Sequence, residues 1–299
     1  MTSLDTLVVE PLTPPAPAAP VVRPSGPEAP AAALAKVRRS PSALRRISSA
    51  VLPPLVAVSV VLGLWEAYVQ ARGDDQYILV APSVIAQTLL GDLGYFVGHG
   101  QTTLLEAMLG LGLGGAIAFV AAALMSEFRV VERALLPLAV LVKVTPMVAV
   151  APLLIIWMGF GLLPKVLIAA LITFFPVLVN CITGFKALDP HVHEVMRSVH
   201  ASRAEVFLRL RLPQCLPHLF AALKICVTLS LIGALVSELQ GSSRGLGNVI
   251  TQSGMYLDMD RMFAAIAALA VMGLTLTFTV TALEHRALRW LGLGHITDH

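Results

Sequence analysis

The sequence predicts an all-α polytopic membrane protein: six transmembrane helices, with a helical cytoplasmic loop between spans 4 and 5. Three observations carry this. Of 299 residues, 57% are hydrophobic and only 13% are charged, about half the charged share of an ordinary soluble domain. A soluble fold needs a charged surface, so a soluble enzyme, a disordered chain and a nucleic-acid binder are all excluded. The apolar residues also fall into six stretches long enough to cross a bilayer, which takes about 20 residues at 1.5 Å rise each. Ten-residue stretches of strict alternation are absent, so a β-barrel is not supported.

Residues 1–45 stand apart, with prolines from Pro11 to Pro41 spaced by alanines. Proline removes helix donors and alanine offers little to bury, so a disordered arm is expected. It does not read as a secretory signal. Its basic residues Arg38, Arg39, Arg45 and Arg46 come late, and no cleavage pattern follows the apolar stretch. Arg45 and Arg46 would suit anionic lipid head groups just before the first span. The membrane domain is expected over residues 46–292, followed by a short tail at 293–299.

The spans are expected near 51–69, 102–125, 134–157, 166–185, 219–239 and 262–283. The second contains the glycine-rich run LGLGLGG at 109–115, the third is interrupted by Pro146 and Pro152, and the fourth holds Pro176. Glycines 110, 112, 114 and 115 would allow close helix approach, with or without motion. Basic residues set the orientation. They gather in the arm, after span 2 (Arg129, Arg133), after span 4 (Lys186, Arg197, Arg203, Arg209, Arg211) and in the tail region (Arg286, Arg289). The alternate loops hold only Arg72, Lys165, Arg244 and Arg261. Both termini and the 186–217 loop are therefore expected in the cytoplasm.

Ionisable groups inside spans are costly and mark candidate paths. Glu106 and Glu238 lie near the outer ends of spans 2 and 5; each could line a path or reach the head groups. Lys143 sits deep in span 3 and could face the path or a buried carboxylate. Asn180 could be a path residue or an interhelical hydrogen bond. Lys224 is expected to be a snorkelling anchor. Cys181, Cys215 and Cys226 form no CxxC pair and are expected to be small packing residues. The glycine-rich segment 241–261 would suit contact with a partner outside the membrane, a gate, or a re-entrant connector.

The segment Asp189–Lys224 is too charged to span. Val195, Val199, Val206 and Leu210 fall near helical spacing with arginines between them, which suggests two short amphipathic helices. Ser202 and Glu205 fit a capping box opening the second, and Pro213 and Pro217 are expected to end it.

This loop resembles the EAA loop of ABC importer permeases, roughly E-A-A-x-x-x-G, about nine residues, then I-x-L-P. Glu194, Ala201, Ser202, Phe207, Leu212, Pro213 and Pro217 match, while Val195, Met196 and His200 depart. Glycine normally stands at the His200 position to allow a sharp break; a histidine there can still take the left-handed conformation at some cost. The resemblance extends over residues 55–292. It includes Val80-Ala-Pro-Ser83, Thr103 to Gly110, Thr145 to Pro152, Ile156 to Gly161, Phe174 to Asn180 and Ser243 to Ile250, in family order. Together they look like the branch importing nitrate, sulfonates, taurine and thiamine-pyrimidine precursors, and most like the pyrimidine-precursor and riboflavin permeases.

The resemblance implies a multi-pass permease subunit of a bacterial inner membrane, used as a homodimer. A separate ABC ATPase would dock on the loop, and an extracytoplasmic binding protein would deliver the solute. Glu194, Arg197, Val199, His200, Ala201, Ser202, Arg203, Phe207 and Pro213 would form the coupling surface. Val199, Val206 and Phe207 would be its apolar anchors. The residues agree on one point: no G-x-x-x-x-G-K-S or G-K-T loop occurs, so this chain is expected to hold no ATP cofactor and to be no enzyme itself. An ion-coupled secondary transporter is the alternative, but no convincing internal repeat supports it. A membrane enzyme is disfavoured because His191, His193, His200 and His218 form no H-E-x-x-H.

Overall fold

The computed structural model describes residues 43–72, 78–188 and 190–290. The proline-rich arm through residue 42 and the 293–299 tail lie outside the described residues, as does the side chain of Arg197. Among the described residues all regular structure is helical. The helices are α1 (Ala43–Arg72), α2 (Pro82–Gly91), α3 (Leu93–Glu127), α4 (Arg129–Val144), α5 (Met147–Met158) and α6 (Leu162–Lys186). They continue with α7 (Pro190–Ser198), α8 (Arg203–Val206), α9 (Leu212–Glu238), α10 (Leu246–Met255) and α11 (Met259–Trp290), with a π-helical turn at Phe207–Arg211. The chain divides into two compact units, residues 1–57 and 58–299. The described part of the first is the start of α1; everything below concerns the second.

Helix α6 packs between α3 and α9, and α11 lies against α9, α10 and α2. Close approach of α3 and α6 depends on two glycines. A Cβ at Gly110 would collide with Ala169, and one at Gly114 with the Ala170 carbonyl. Gly112 and Gly115 face open space, so only half of the glycine run serves packing. Gly233 of α9 meets Ala169 from the other side. Small residues at i and i+4 let two backbones touch where lipid offers no hydrophobic drive. The three cysteines are free and fully buried, and Cys215 and Cys226 donate to the Cys181 and Thr173 carbonyls at 3.6 and 3.5 Å.

The expected third span is not one helix. The axes of α4 and α5 bend by 97° at Thr145-Pro146. Pro146 lacks a donor and pushes Thr145 into extended geometry (φ −72°, ψ 124°). Pro152 and Pro176 sit inside intact helices.

Pro213 and Pro217 also fail to end a helix; α8, the π turn and α9 run on as one 36-residue helix from Arg203 to Glu238. The Leu212 N–H reaches back to the Phe207 carbonyl. This wider turn shifts the carbonyls that the Pro213 ring would otherwise strike. Segment 241–261 folds back as the short helix α10, with Leu246 and Val249 buried against Phe96, Ala264 and Ala265.

At the start of α2, Ala81 is extended and Pro82 opens the first turn. The Glu66 carboxylate of α1 accepts from the Ser83 N–H (3.0 Å) and hydroxyl (2.7 Å). It thus caps α2 from a neighbouring helix, because the N-cap residue Ala81 has no side-chain acceptor.

Candidate translocation site and coupling loop

At the α10 end of the bundle, four helices and a connection bring polar groups together. Glu106 of α3 and Glu238 of α9 are each 1% exposed, so neither reaches the head groups. Their carboxyl groups lie against each other. Lys165, one turn into α6, donates to Glu106 Oε1 and to Ser242 Oγ, both at 2.6 Å. Thr103 Oγ1 donates to Glu238 Oε1 at 2.8 Å and accepts from the Leu246 N–H at 2.9 Å. Glu238 Oε2 accepts from the Gly247 N–H at 2.6 Å.

The last two bonds explain how α10 starts. The first turn of a helix leaves unpaired N–H groups and a positive dipole end. Here Thr103 and Glu238 meet that turn from α3 and α9, since the N-cap residue Gly245 has no side chain to offer. Gly245 sits at φ +108°, and a Cβ there would strike the Glu238 carboxyl. The Gly245 N–H also donates to His99 Nδ1 at 3.1 Å, and Asn248 Nδ2 to the Ser242 carbonyl at 2.5 Å.

Two of the four expected path residues, Glu106 and Glu238, therefore meet. The other two do not join them. Lys143 lies in the last turn of α4, exposed, with its amine 4.7 Å from the centre of the Phe175 ring. Asn180 is half-buried and bonds within its own helix: Nδ2 donates to the Pro176 carbonyl at 2.8 Å. Lys224 is ion-paired with Glu284 of α11 rather than a free anchor. Lys165, Thr103, His99 and Ser242 belong to the cluster but do not stand out in the sequence. Among the described residues, no group of three His, Cys, Asp or Glu side chains could hold a metal.

At the other end, the chain leaves α6 and forms α7. The break between α7 and α8 falls where expected: His200 takes φ +54°, and the Ala201 N–H returns to the Met196 carbonyl at 3.0 Å. Such a left-handed turn closes a helix and is easiest for glycine. The capping box at Ser202 is complete. Its hydroxyl accepts from the Glu205 N–H (3.3 Å), and the Ser202 N–H donates to Glu205 Oε2 (2.9 Å).

The side chains divide between two faces. Glu194, Val199, His200, Ser202 and Arg203 are exposed, Val199 by 65%. Val206 and Phe207 instead turn inward. Phe207 stacks on Phe185 at 5.4 Å between ring centres, and Phe185 packs on Phe119. The expectation that Val206 and Phe207 anchor a partner is thereby corrected; they fasten the loop to the bundle. Arg211–Glu127 and Lys186–Glu132 ion pairs (2.5 Å each) and the Gln214 bond to the Ala187 carbonyl (2.9 Å) fasten it further. A force applied to the exposed face would reach α3, α6 and α9 through these contacts.

Residues 110–289 match the family described as binding-protein-dependent transport system inner membrane component. The chain belongs to this family: it is the multi-pass inner-membrane permease of an ABC importer. Its relatives include permeases named for transport of different solutes. A probable ABC transporter permease of Haemophilus influenzae is 34% identical, covering 79% of this chain and 96% of that protein. The formylaminopyrimidine transport permease ThiX of Halalkalibacterium halodurans is 30% identical over 80% and 96%. The riboflavin transport permease RibX of Chloroflexus aurantiacus is 33% identical over 79% and 88%. The fold is similar to a chain of the MetNI methionine ABC transporter, solved in inward-facing conformations. The TM-score is 0.56 and the identity 15%, covering 65% of this chain and 96% of that one.

Proposed function

We propose that this permease translocates a small solute handed over by an extracytoplasmic binding protein, driven by a separate ATPase that docks on the 194–213 loop. A thiamine pyrimidine precursor or a riboflavin-like solute is the first choice; a sulfonate, taurine or nitrate comes next. Two copies of the chain would enclose the path. This chain would bind no ATP itself.

The observation that carries the docking assignment is the loop. A nine-residue helix, α7, the turn through Val199 and His200 that follows it, and the start of α8 present Glu194, Val199 and Arg203 outward, while Val206 and Phe207 hold the bundle. A protruding helix with one apolar contact and a charged rim is the shape that seats in a partner groove. Basic residues at this same end, Arg129, Arg133, Lys186, Arg203 and Arg209, support placing it in the cytoplasm, with both termini. The polar cluster at the opposite end supports Glu106 and Glu238 as path residues on the binding-protein side.

Reconstitution tests the reading. Proteoliposomes holding the permease, its ATPase and its binding protein should accumulate solute only with ATP inside the ATPase compartment. Accumulation driven by an ion gradient without ATP would move the assignment to the ion-coupled carrier.

A further inference from the structure

A cleft of about 330 Å³ opens between the end of α5, the start of α6 and the α9–α10 connection. Ile155, Phe160, Lys165, Ser237, Ser242 and Ser243 stand on its walls. Two observations point to a ligand. Ser237 is 1% exposed, and its Oγ has no hydrogen-bond partner; buried hydroxyls in folded proteins are almost always paired. Lys165 Nζ, with three hydrogens to give, bonds Glu106 Oε1 and Ser242 Oγ, which leaves one donor on the wall of the cleft.

The charge arrangement selects the ligand class. Glu106 already neutralises the Lys165 ammonium, and the Glu238 carboxyl in the same cluster brings no positive charge. A sulfonate or nitrate would shed its water without meeting any surplus positive charge, which is unfavourable. A neutral solute with hydrogen-bonding edges would use the Ser237 hydroxyl and the spare Lys165 donor, and lie against Ile155 and Phe160. The volume is at the low end for ligand pockets, about 300–1,000 Å³, which suits one substituted ring better than a flavin with its ribityl chain. We infer that this cleft is a solute subsite within the membrane domain for a small uncharged heterocycle of the aminopyrimidine kind, selective against sulfonates. The inference rests on the permease reading and narrows its substrate.

The test has two arms. Full-length permease in lipid nanodiscs is titrated calorimetrically with formylaminopyrimidine, taurine and riboflavin. The pyrimidine should bind, and Ser237→Ala should weaken it about tenfold, the loss expected for one hydrogen bond. Because the hydroxyl is unpartnered in the free protein, the melting temperature should not fall. In parallel, uptake of the labelled pyrimidine is followed in cells with and without the partner ATPase. Taurine or riboflavin binding more tightly than the pyrimidine, no pyrimidine binding, or unchanged affinity in Ser237→Ala overturns the inference. If uptake is still ATPase-dependent in those cases, the permease reading stands without it. Uptake that persists in cells without the ATPase overturns the permease reading instead.

Discussion

Lys165 shows what a single side chain does here. Its amine joins α3, through Glu106, to the α9–α10 connection, through Ser242. Removing one member of a buried ion pair strands the other and costs about 3–5 kcal/mol. Lys165→Met should therefore lower the melting temperature of the purified permease markedly, while Lys165→Met combined with Glu106→Gln should recover most of the loss. Equal melting temperatures for wild type and Lys165→Met would show that the pair is not coupled to folding. In the sequence, Glu106 and Glu238 are conspicuous as charges within apolar spans, whereas Lys165 reads as one more loop cation. Its partner lies 59 residues away, and no local periodicity links the two. His200 is the opposite case: the break it makes is legible because it occupies a position where a left-handed turn was already expected. Left-handed geometry is unfavourable by about 1 kcal/mol or more for a side-chain-bearing residue, so His200→Gly should stabilise the loop slightly in thermal melts.

At the scale of the helices, five of the six apolar stretches coincide with long helices and the third with the bent α4–α5 pair, but the stretches say little about where helices end. Helix α3 runs from Leu93 to Glu127, well beyond the apolar stretch 102–125, and in the added first turns Phe96 is buried beside Leu246 and Ala264. Proline was the less dependable signal. Pro146 breaks the chain by 97°, yet Pro213 is absorbed by the π turn ahead of it and Pro217 sits inside α9. The difference lies in which carbonyl each ring meets, a tertiary fact that the residue type does not carry. The glycine run divides in the same way: Gly114→Val should disrupt the α3–α6 contact and abolish stable folding in detergent, while Gly112→Ala should be neutral or slightly stabilising, since alanine favours helix by about 1 kcal/mol over glycine. Circular-dichroism melts of the two variants separate these outcomes. Ser202→Ala should cost about 1 kcal/mol through the lost cap.

For the whole molecule, the fold places two distinct groups of polar residues apart along the bundle. One end gathers Glu106, Glu238, Lys165 and the turned-back α10; the other presents α7 and the capped start of α8. Helices α3, α6 and α9 connect them, packed closely enough that a displacement of the loop must be transmitted or resisted by all three. Coupling requires two states that a partner can bias by differential contact, and the exposed faces of Glu194 and Arg203 are where that contact is proposed. Glu194→Lys or Arg203→Glu should leave insertion intact, lower solute uptake at least tenfold, and leave the partner's own ATP hydrolysis uncoupled from it. The most direct measurement is gentle affinity purification of the tagged permease from its native membranes, with mass spectrometry of what accompanies it. The account expects a stoichiometric ATPase carrying a phosphate-binding G-x-x-x-x-G-K loop, retained by the wild type and weakened by the Glu194→Lys and Arg203→Glu changes. Intact, monodisperse permease with no ATPase bound, or an ATPase held equally well by both variants, would contradict it.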